Sequence, residues 1–329
     1  LKLEVVNKKA MFLTFQKKAS LCLVAVSSVA VSALSVSPRL SGAMLRVEGD
    51  PSAVATWYAS SFEDVEAVLD DGCAEVVFPL SDFALRFSGD EAIKPYDPAV
   101  SFDWKDPSTK KLGFLGVGVE VSDASGFLKD DDENMAELEL VASMIPDEDP
   151  AKDTRIQVAE MTDPAGFPVA AIAQRDCRAK NNAYPAPKLV VAISDLDASI
   201  KFYTNCLGMR LLRKRALLPE IPAMSGFVGF SQHDPESLVD SAEGADEAGT
   251  PRIELRYLYN SKKLFPDLGL GDIIIKDADP ELVASLADAE GGKRGDTLDD
   301  GSIRVFDPDG YAFLVCPTTS SSSSSSSSQ

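Results

Sequence analysis

The chain has 329 residues, 45% of them apolar and 26% charged, with 52 acidic against 32 basic residues and a formal charge of -20. That length suffices for two domains or one double domain, and a mean hydropathy of -0.03 excludes several membrane spans. So negative a surface repels phosphate backbones and anionic lipid heads, which argues against nucleic acid as a partner and for high solubility. Cys22, Cys73, Cys177, Cys206 and Cys316 are widely spaced and form no C-x-x-C pair, so neither a zinc knuckle nor a disulfide framework is expected. Each reads as a small buried hydrophobe rather than a nucleophile. His233 is the one histidine of the chain, and in its acidic surroundings it reads as a surface residue.

In chain order, residues 1–42 read as a leader whose translation starts at Met11. Lys17 and Lys18 precede an apolar run from Leu21 to Leu34, with small residues near Val31 to Ala33. That is the grammar of a secretory signal peptide, too short for a stable membrane span. The Ser- and Arg-bearing LSVSPRLSG that follows also fits a signal-plus-transit leader into a plastid, so secretion and plastid stay open. The missing disulfide framework favours the plastid.

From Ala43 the chain repeats itself. AMLRVEGDPSAVATWYASSF parallels VVAISDLDASIKFYTNCLGM, with Trp57-Tyr58 aligned to Phe202-Tyr203, 202 − 57 = 145 residues apart. FALRFSGD from Phe83 parallels IELRYLYN from Ile253, and LGVGVEVSD from Leu115 parallels LGDIIIKD from Leu270. TRIQVAEMTDPAGFPVAAIA parallels SIRVFDPDGYAFLVCP, with Asp163-Pro164 aligned to Asp307-Pro308, 307 − 163 = 144 residues apart. Two such similar offsets imply duplication, and each half reads as two β-α-β-β-β units. Helices are expected at Pro51–Ser60, around Ala124–Phe127, and at Pro280–Ala289, the last following Asp277 and Asp279 and ending before Gly291-Gly292. The two D-P-x-G elements are turn signals, Pro fixing φ and Gly supplying a positive φ, that join the last two strands of each half. The acidic segment 129–153 reads as a helix plus loop or an insertion, and 233–251 as a solvated loop. Residues 177–187 link an N-terminal domain, 43–176, to a C-terminal one, 188–317, and the serine-rich 318–329 buries nothing.

The fullest signal is Val190 to Arg215. Val190, Val191 and Ile193 make a β-branched strand. Ser194, Asp195 and Asp197 offer side-chain oxygens to the first amides of a helix. Ile200, Tyr203 and Leu207 recur at helical spacing, Gly208 ends the helix, and Met209, Leu211 and Leu212 begin a strand. This segment, with IELRYLYN and DPDGYAFLV, resembles glyoxalase I of the vicinal oxygen chelate superfamily in its single-chain, tandem form, over most of 43–317. The resemblance implies an α+β fold: tandem vicinal-oxygen-chelate domains of repeated β-α-β-β-β units whose mixed sheets enclose a concave cleft. Such enzymes isomerise the hemithioacetal of glutathione and methylglyoxal to lactoylglutathione; a divalent ion polarises the vicinal oxygens while a ligating carboxylate moves the proton.

The resemblance also implies four metal-ligand positions per site, on the first, fourth, fifth and eighth strands. In the second half they fall on Lys188, Glu254, Asp272 and Leu314, and in the first on Gly42, Ala84, Val117 and Ala170. Glu254 alone keeps the family identity, and Asp272 keeps ligand chemistry. Family sites usually pair strands one and four of one half with five and eight of the other, which puts Glu254 and Asp272 in different sites; paired within the half instead, the two carboxylates and a cation meet in one pocket, still short of a ligand set. One carboxylate per site falls short of the three or four protein ligands a catalytic ion needs, and a single histidine excludes a two-histidine iron site. Two readings of Lys188 stand. Either its ammonium takes the ion's place and neutralises Glu254, or Lys188 ends a linker and Glu254 points to solvent. Arg46 matches the family arginine that holds a glutathione carboxylate, or is an ordinary edge-strand residue; Arg213, with Lys214 and Arg215, attracts an anion or ends a strand in solvent. Arg86 and Arg256 occupy repeat-equivalent positions.

No nucleotide-binding glycine loop or G-x-S-x-G elbow is present. The resulting expectation is a glyoxalase-I-like protein with a largely lost metal centre. It needs no cofactor and binds a small ligand, such as a glutathione conjugate, through Arg46, Lys188, Glu254, Asp272 and Arg213. The alternative is an active lactoylglutathione lyase with a rearranged site, Glu254 as the catalytic carboxylate and zinc or nickel as cofactor. A tandem chain contains its own domain pairing, so a monomer without a membrane span is expected.

Overall fold

The computed structural model describes residues 37–70, 73–79, 81–89, 112–121, 124, 127, 135–139, 155–174, 186–217, 223–230, 250–259 and 264–318. The leader, the serine tail, most of the acidic 233–251 and most of the expected helix around 124–127 lie outside them. The described chain from Pro38 onward forms one unit.

Four modules follow one another. The first is β1 (Arg39–Arg46), α1 (Pro51–Ser61), β2 (Glu66–Asp70), β3 (Cys73–Phe78) and β4 (Phe83–Ser88). The second is β5 (Leu112–Glu120), β6 (Met135–Glu139), β7 (Arg155–Thr162) and β8 (Pro168–Gln174). The third is β9 (Ala186–Ile193), α2 (Leu196–Asn205), β10 (Arg210–Leu217), β11 (Ala223–Gly229) and β12 (Arg252–Leu258). After the two-residue β13 (Leu264–Phe265), the fourth is β14 (Leu270–Ala278), α3 (Pro280–Ala287), β15 (Lys293–Thr297), β16 (Ile303–Phe306) and β17 (Ala312–Pro317). Over residues 135–139 strand β6 corrects the helix alternative for 129–153: its AELE alternates apolar and acidic residues and the strand pairs with β7, strand pairing prevailing over the helix propensity of Ala, Glu, Leu and Met.

Each helix begins where an aspartate side chain accepts an otherwise orphaned amide. Asp50 takes the Ser52 amide at 2.9 Å, Asp195 that of Ala198 at 3.0 Å, and Asp279 that of Leu282 at 3.1 Å. Pro51 and Pro280 occupy the first turns, where no amide is needed. Gly208 leaves α2 at φ 73°. Gly166 and Gly310 turn the two D-P-x-G hairpins at φ 89° and 97°, a region that L side chains rarely enter.

The sheets cross the two halves. The first and fourth modules build one eight-stranded sheet, β15-β16-β17-β14-β1-β4-β3-β2, and the second and third build the path β10-β11-β12-β9-β5-β8-β7-β6 of a nine-stranded one, whose ninth strand, β13, pairs with β5. Each is sealed by an antiparallel seam, β1 on β14 and β5 on β9, within otherwise module-internal pairings. In the nine-stranded sheet Leu189, Val191, Ile253, Leu255, Val117, Val119, Val169 and Ala171 face the helices and share one core cluster with Phe202 and Tyr203. Strand periodicity therefore turns Lys188, Val190, Glu254, Arg256, Gly118 and Ala170 to the opposite, helix-free face. Val117 is thus a core residue, 1% exposed; the position facing Lys188 belongs to Gly118, one residue along, because the repeat alignment carried the strand but not its pleat.

Candidate functional site

The helix-free face of the nine-stranded sheet is built around a buried charge pair. Lys188 comes from β9 and Glu254 from the neighbouring β12, with Glu254 paired in register to Val190, two residues along from Lys188. Lys188 Nζ lies 2.7 Å from Glu254 Oε2, with the two side chains 3% and 0% exposed. The other carboxylate oxygen, Oε1, accepts from Ser225 Oγ at 2.8 Å and from Arg256 Nε and Nη2 at 3.1 and 2.7 Å. Ser225 reaches it from β11, and Arg256 sits two residues along the same strand, the spacing that keeps side chains on one face. The Lys188 ammonium also lies 5.1 Å from the centroid of the Phe227 ring, a cation–π approach. Gly118 makes this packing possible: a Cβ there would meet Lys188 Cε at 2.6 Å. Arg252, beside Lys188 on β12, gives Nη2 to Glu120 Oε2 at 2.8 Å.

The eight-stranded sheet holds the other expected carboxylate. Asp272 on β14 accepts both Nε and Nη2 of Arg304 from β16, each at 2.7 Å, a bidentate pair of the geometry guanidinium favours. Asp272 is the larger cause of the upward shift of the Arg304 guanidinium. The remaining ligand-equivalent positions of this sheet are Gly42, Ala84 and Leu314, of which Gly42 admits no side chain because a Cβ would lie 2.4 Å from the Ala84 carbonyl oxygen. Arg46 ends β1 in the same sheet, half-buried, its amide bonded to Gly269 O at 3.1 Å. Arg86, the repeat equivalent of Arg256, pairs with Glu75 at 3.0 Å on the exposed side. Arg213 lies on β10 in register with Phe227, and Lys214 bonds Asp197 at 2.8 Å.

The structure thus joins Lys188 to Glu254 and places Asp272 and Arg46 in the other sheet. Among the described residues no group of three or more His, Cys, Asp or Glu side chains converges as a metal site would require. In both sheets a cation already engages the carboxylate. Ser225, Arg252, Glu120, Arg304 and Gly118 are absent from the sequence-based set. Period-two spacing from Glu254 could have flagged Arg252 and Arg256, but Ser225 and Arg304 depend on register between strands, which sequence does not print.

A second pair of buried polar contacts follows the repeat. In the D-P-x-G turns the Asp163 carboxylate accepts the amides of Ala165 and Phe167, both at 2.9 Å, and Asp307 those of Asp309 and Tyr311 at 3.0 and 2.8 Å. Tyr203 of α2 donates its hydroxyl to Asp307 Oδ2 at 3.1 Å, and the equivalent Tyr58 of α1 lies against Asp163. Each contact joins a helix associated with one sheet to a hairpin of the other. Burial pushes the Asp163 carboxyl up to about 6 and that of Asp307 up to about 7, against the lowering effect of the donated amides. Burial, then the neighbouring carboxylate, raises both tyrosine hydroxyls.

Comparison with known proteins bears on family and fold. Residues 187–315 match the Glyoxalase/Bleomycin resistance protein/Dioxygenase superfamily. A probable chloroplastic lactoylglutathione lyase of Arabidopsis thaliana is 34% identical over 140 residues, 41% of this chain and 36% of that protein. A lactoylglutathione lyase of Haemophilus influenzae is 32% identical over 128 residues, 37% of this chain and 84% of that protein. The chain therefore spans little more than a third of the plant relative but most of the bacterial one. The crystal structure of a glyoxalase I mutant from Zea mays superposes with a TM-score of 0.60 at 19% identity, covering 88% of this chain and 96% of that one.

Proposed function

Since the chain belongs to the glyoxalase/bleomycin resistance protein/dioxygenase superfamily, and since Lys188 meets Glu254 at positions that the resemblance to glyoxalase I assigns to metal ligands, we propose that it is a glyoxalase-I-like protein that binds a small anionic ligand without metal-dependent turnover. The observation that carries this reading is the 2.7 Å approach of Lys188 Nζ to Glu254 Oε2 in a site closed to solvent. An ammonium supplies one positive charge in the space of an ion and brings no open coordination position. Glu254 is already engaged by Lys188, Arg256 and Ser225, so both of its oxygens have cationic or hydroxyl partners. A divalent ion would have to displace the lysine and recruit ligands from Gly118 and Ala170, which carry none.

Glutathione conjugates are the ligand class this reading favours, supported by the lyase names of the relatives. The plastid is the compartment it favours, supported by the leader grammar of residues 11–42 and by the chloroplastic Arabidopsis relative. It takes the protein as a monomer; among the described residues no helix is long and apolar enough to cross a membrane. The competing reading, an active lactoylglutathione lyase with zinc or nickel, draws its support from those same names. The two part in one experiment. Purified protein is dialysed against zinc or nickel, its metal content measured, and lactoylglutathione formation assayed. The proposal expects neither stoichiometric metal nor turnover; one equivalent of metal with turnover abolished in Glu254→Gln would establish the lyase.

A further inference from the structure

Strand register assembles a line of cations across the helix-free face of the nine-stranded sheet. Arg210 pairs with Gly229, Gly229 with Arg252, and Arg252 with Lys188. Residues directly opposite one another share a face of the sheet, and the Phe227 and Ser225 contacts to Lys188 and Glu254 identify which face it is. By register this face and its margin carry Lys188, Arg210, Arg213, Arg252 and Arg256 with Glu120, Glu160 and Glu254, in a chain whose formal charge is -20. Lys188 and Arg256 engage Glu254, and Arg252 engages Glu120. Arg210 differs. Its Nη1 is withdrawn from solvent and, among the described residues, meets no hydrogen-bond acceptor.

A guanidinium stays charged at any physiological pH, so sealing one of its donors without an acceptor carries a desolvation cost that an incoming anion would offset. Its planar fork matches a carboxylate or phosphate. The margin beside Arg210 is apolar: Leu212 and Phe227 pack together as a small cluster, and Gly229, the row position between Arg210 and Arg252, adds no side chain. Leu212 Cδ1 comes within 3.2 Å of where a Cβ on Gly229 would stand. We infer that Arg210 forms an anion subsite at the β10 edge of this sheet, taking the carboxylate or phosphate of a small ligand whose apolar part borders the buried Leu212–Phe227 cluster. The subsite rests on the reading above only in using the same sheet face.

Benzoate, the isosteric but neutral benzamide, and inorganic phosphate are suitable probes, titrated into the full chain by calorimetry and thermal shift. The inference expects saturable benzoate binding with a raised Tm, no comparable response to benzamide, and at least tenfold weaker benzoate binding in Arg210→Gln. Phosphate competing with benzoate would assign the shared anion chemistry to one subsite; phosphate binding alone would place the anion there but remove the apolar contact from the assignment. Arg210→Gln should retain the wild-type circular dichroism and Tm, since it removes an unsatisfied donor. Equal binding of benzoate and benzamide, no saturable binding of either anion, or undiminished affinity in a folded Arg210→Gln would overturn the subsite. None of these outcomes depends on metal content or turnover, so failure here and failure of the metal-free reading are separate results.

Discussion

Replacing Lys188 with Met keeps most of the stem that packs over Gly118 and deletes the ammonium beside Glu254. Glu254 is 0% exposed, so its charge stays buried with one partner fewer. Breaking a buried pair by removing one member costs about 3–5 kcal/mol. Arg256 and Ser225 still donate three hydrogen bonds to Oε1, which places the expected loss at the lower end, about 3 kcal/mol. Converting Glu254 to Gln in the Lys188→Met background removes the stranded charge, so the double variant should recover at least about 1.5 kcal/mol of that loss, the coupling of residues in direct contact. Urea denaturation of the four proteins of the cycle, followed by circular dichroism at constant pH and salt, measures both quantities. A Lys188→Met variant within about 1 kcal/mol of wild type, with an additive cycle, would refute the argument that this pair organises the site.

Three further outcomes follow from the same geometry. Gly118→Ala forces a Cβ within 2.6 Å of Lys188 Cε and should cost about 1–3 kcal/mol as overpacking, less when Lys188 is also shortened to Ala; thermal melts of both variants decide it. Tyr203→Phe strands the buried Asp307 oxygen at a cost of about 1–3 kcal/mol, and Tyr58→Phe should cost less, its hydroxyl lying against Asp163 without the close geometry of the Tyr203–Asp307 bond, a difference read by denaturation of the two variants. Asp307, with its carboxyl raised to about 7 by burial, binds its proton more tightly folded than unfolded, where carboxylates titrate near 3.9. Its contribution is therefore complete below about pH 4 and lost as pH rises to about 7. Relative to wild type, Asp307→Asn should gain roughly 2–4 kcal/mol between pH 4 and pH 8, at 1.36 kcal/mol per unit; a pH-independent difference would contradict the shift.

Much of the fold was legible because its signals are local. Asp50-Pro51 and Asp279-Pro280 cap helices that start at Pro51 and Pro280, and the helix expected to end at Ser60 ends at Ser61. The two D-P-x-G turns adopt the positive φ that glycine supplies. The repeat was legible too, and the Tyr58–Asp163 and Tyr203–Asp307 contacts show what its offsets of 145 and 144 residues preserve: a helix hydroxyl set against a turn carboxylate in each half. What escaped sequence reasoning is set by distance along the chain. Arg304 reaches Asp272 across 32 residues and Arg252 reaches Glu120 across 132, and neither separation has a period. The Val117 position failed for a smaller reason: in an extended strand a one-residue slip exchanges the core face for the helix-free face. Strand β6 was missed because MAELE has helix-forming residues and owes its extension to β7.

Lys188 Nζ lies 2.7 Å from Glu254 Oε2, and metal titration tests most directly the proposal that this ammonium replaces an ion. Isothermal titration of zinc and of nickel into the full chain, with lactoylglutathione formation assayed in the same samples, should give no stoichiometric binding and no turnover. In Lys188→Gln, which restores a neutral donor beside Glu254, metal binding should remain weak because Gly118 and Ala170 offer no ligands. One equivalent of tightly bound ion in the wild-type protein, with turnover that Glu254→Gln abolishes, would contradict it.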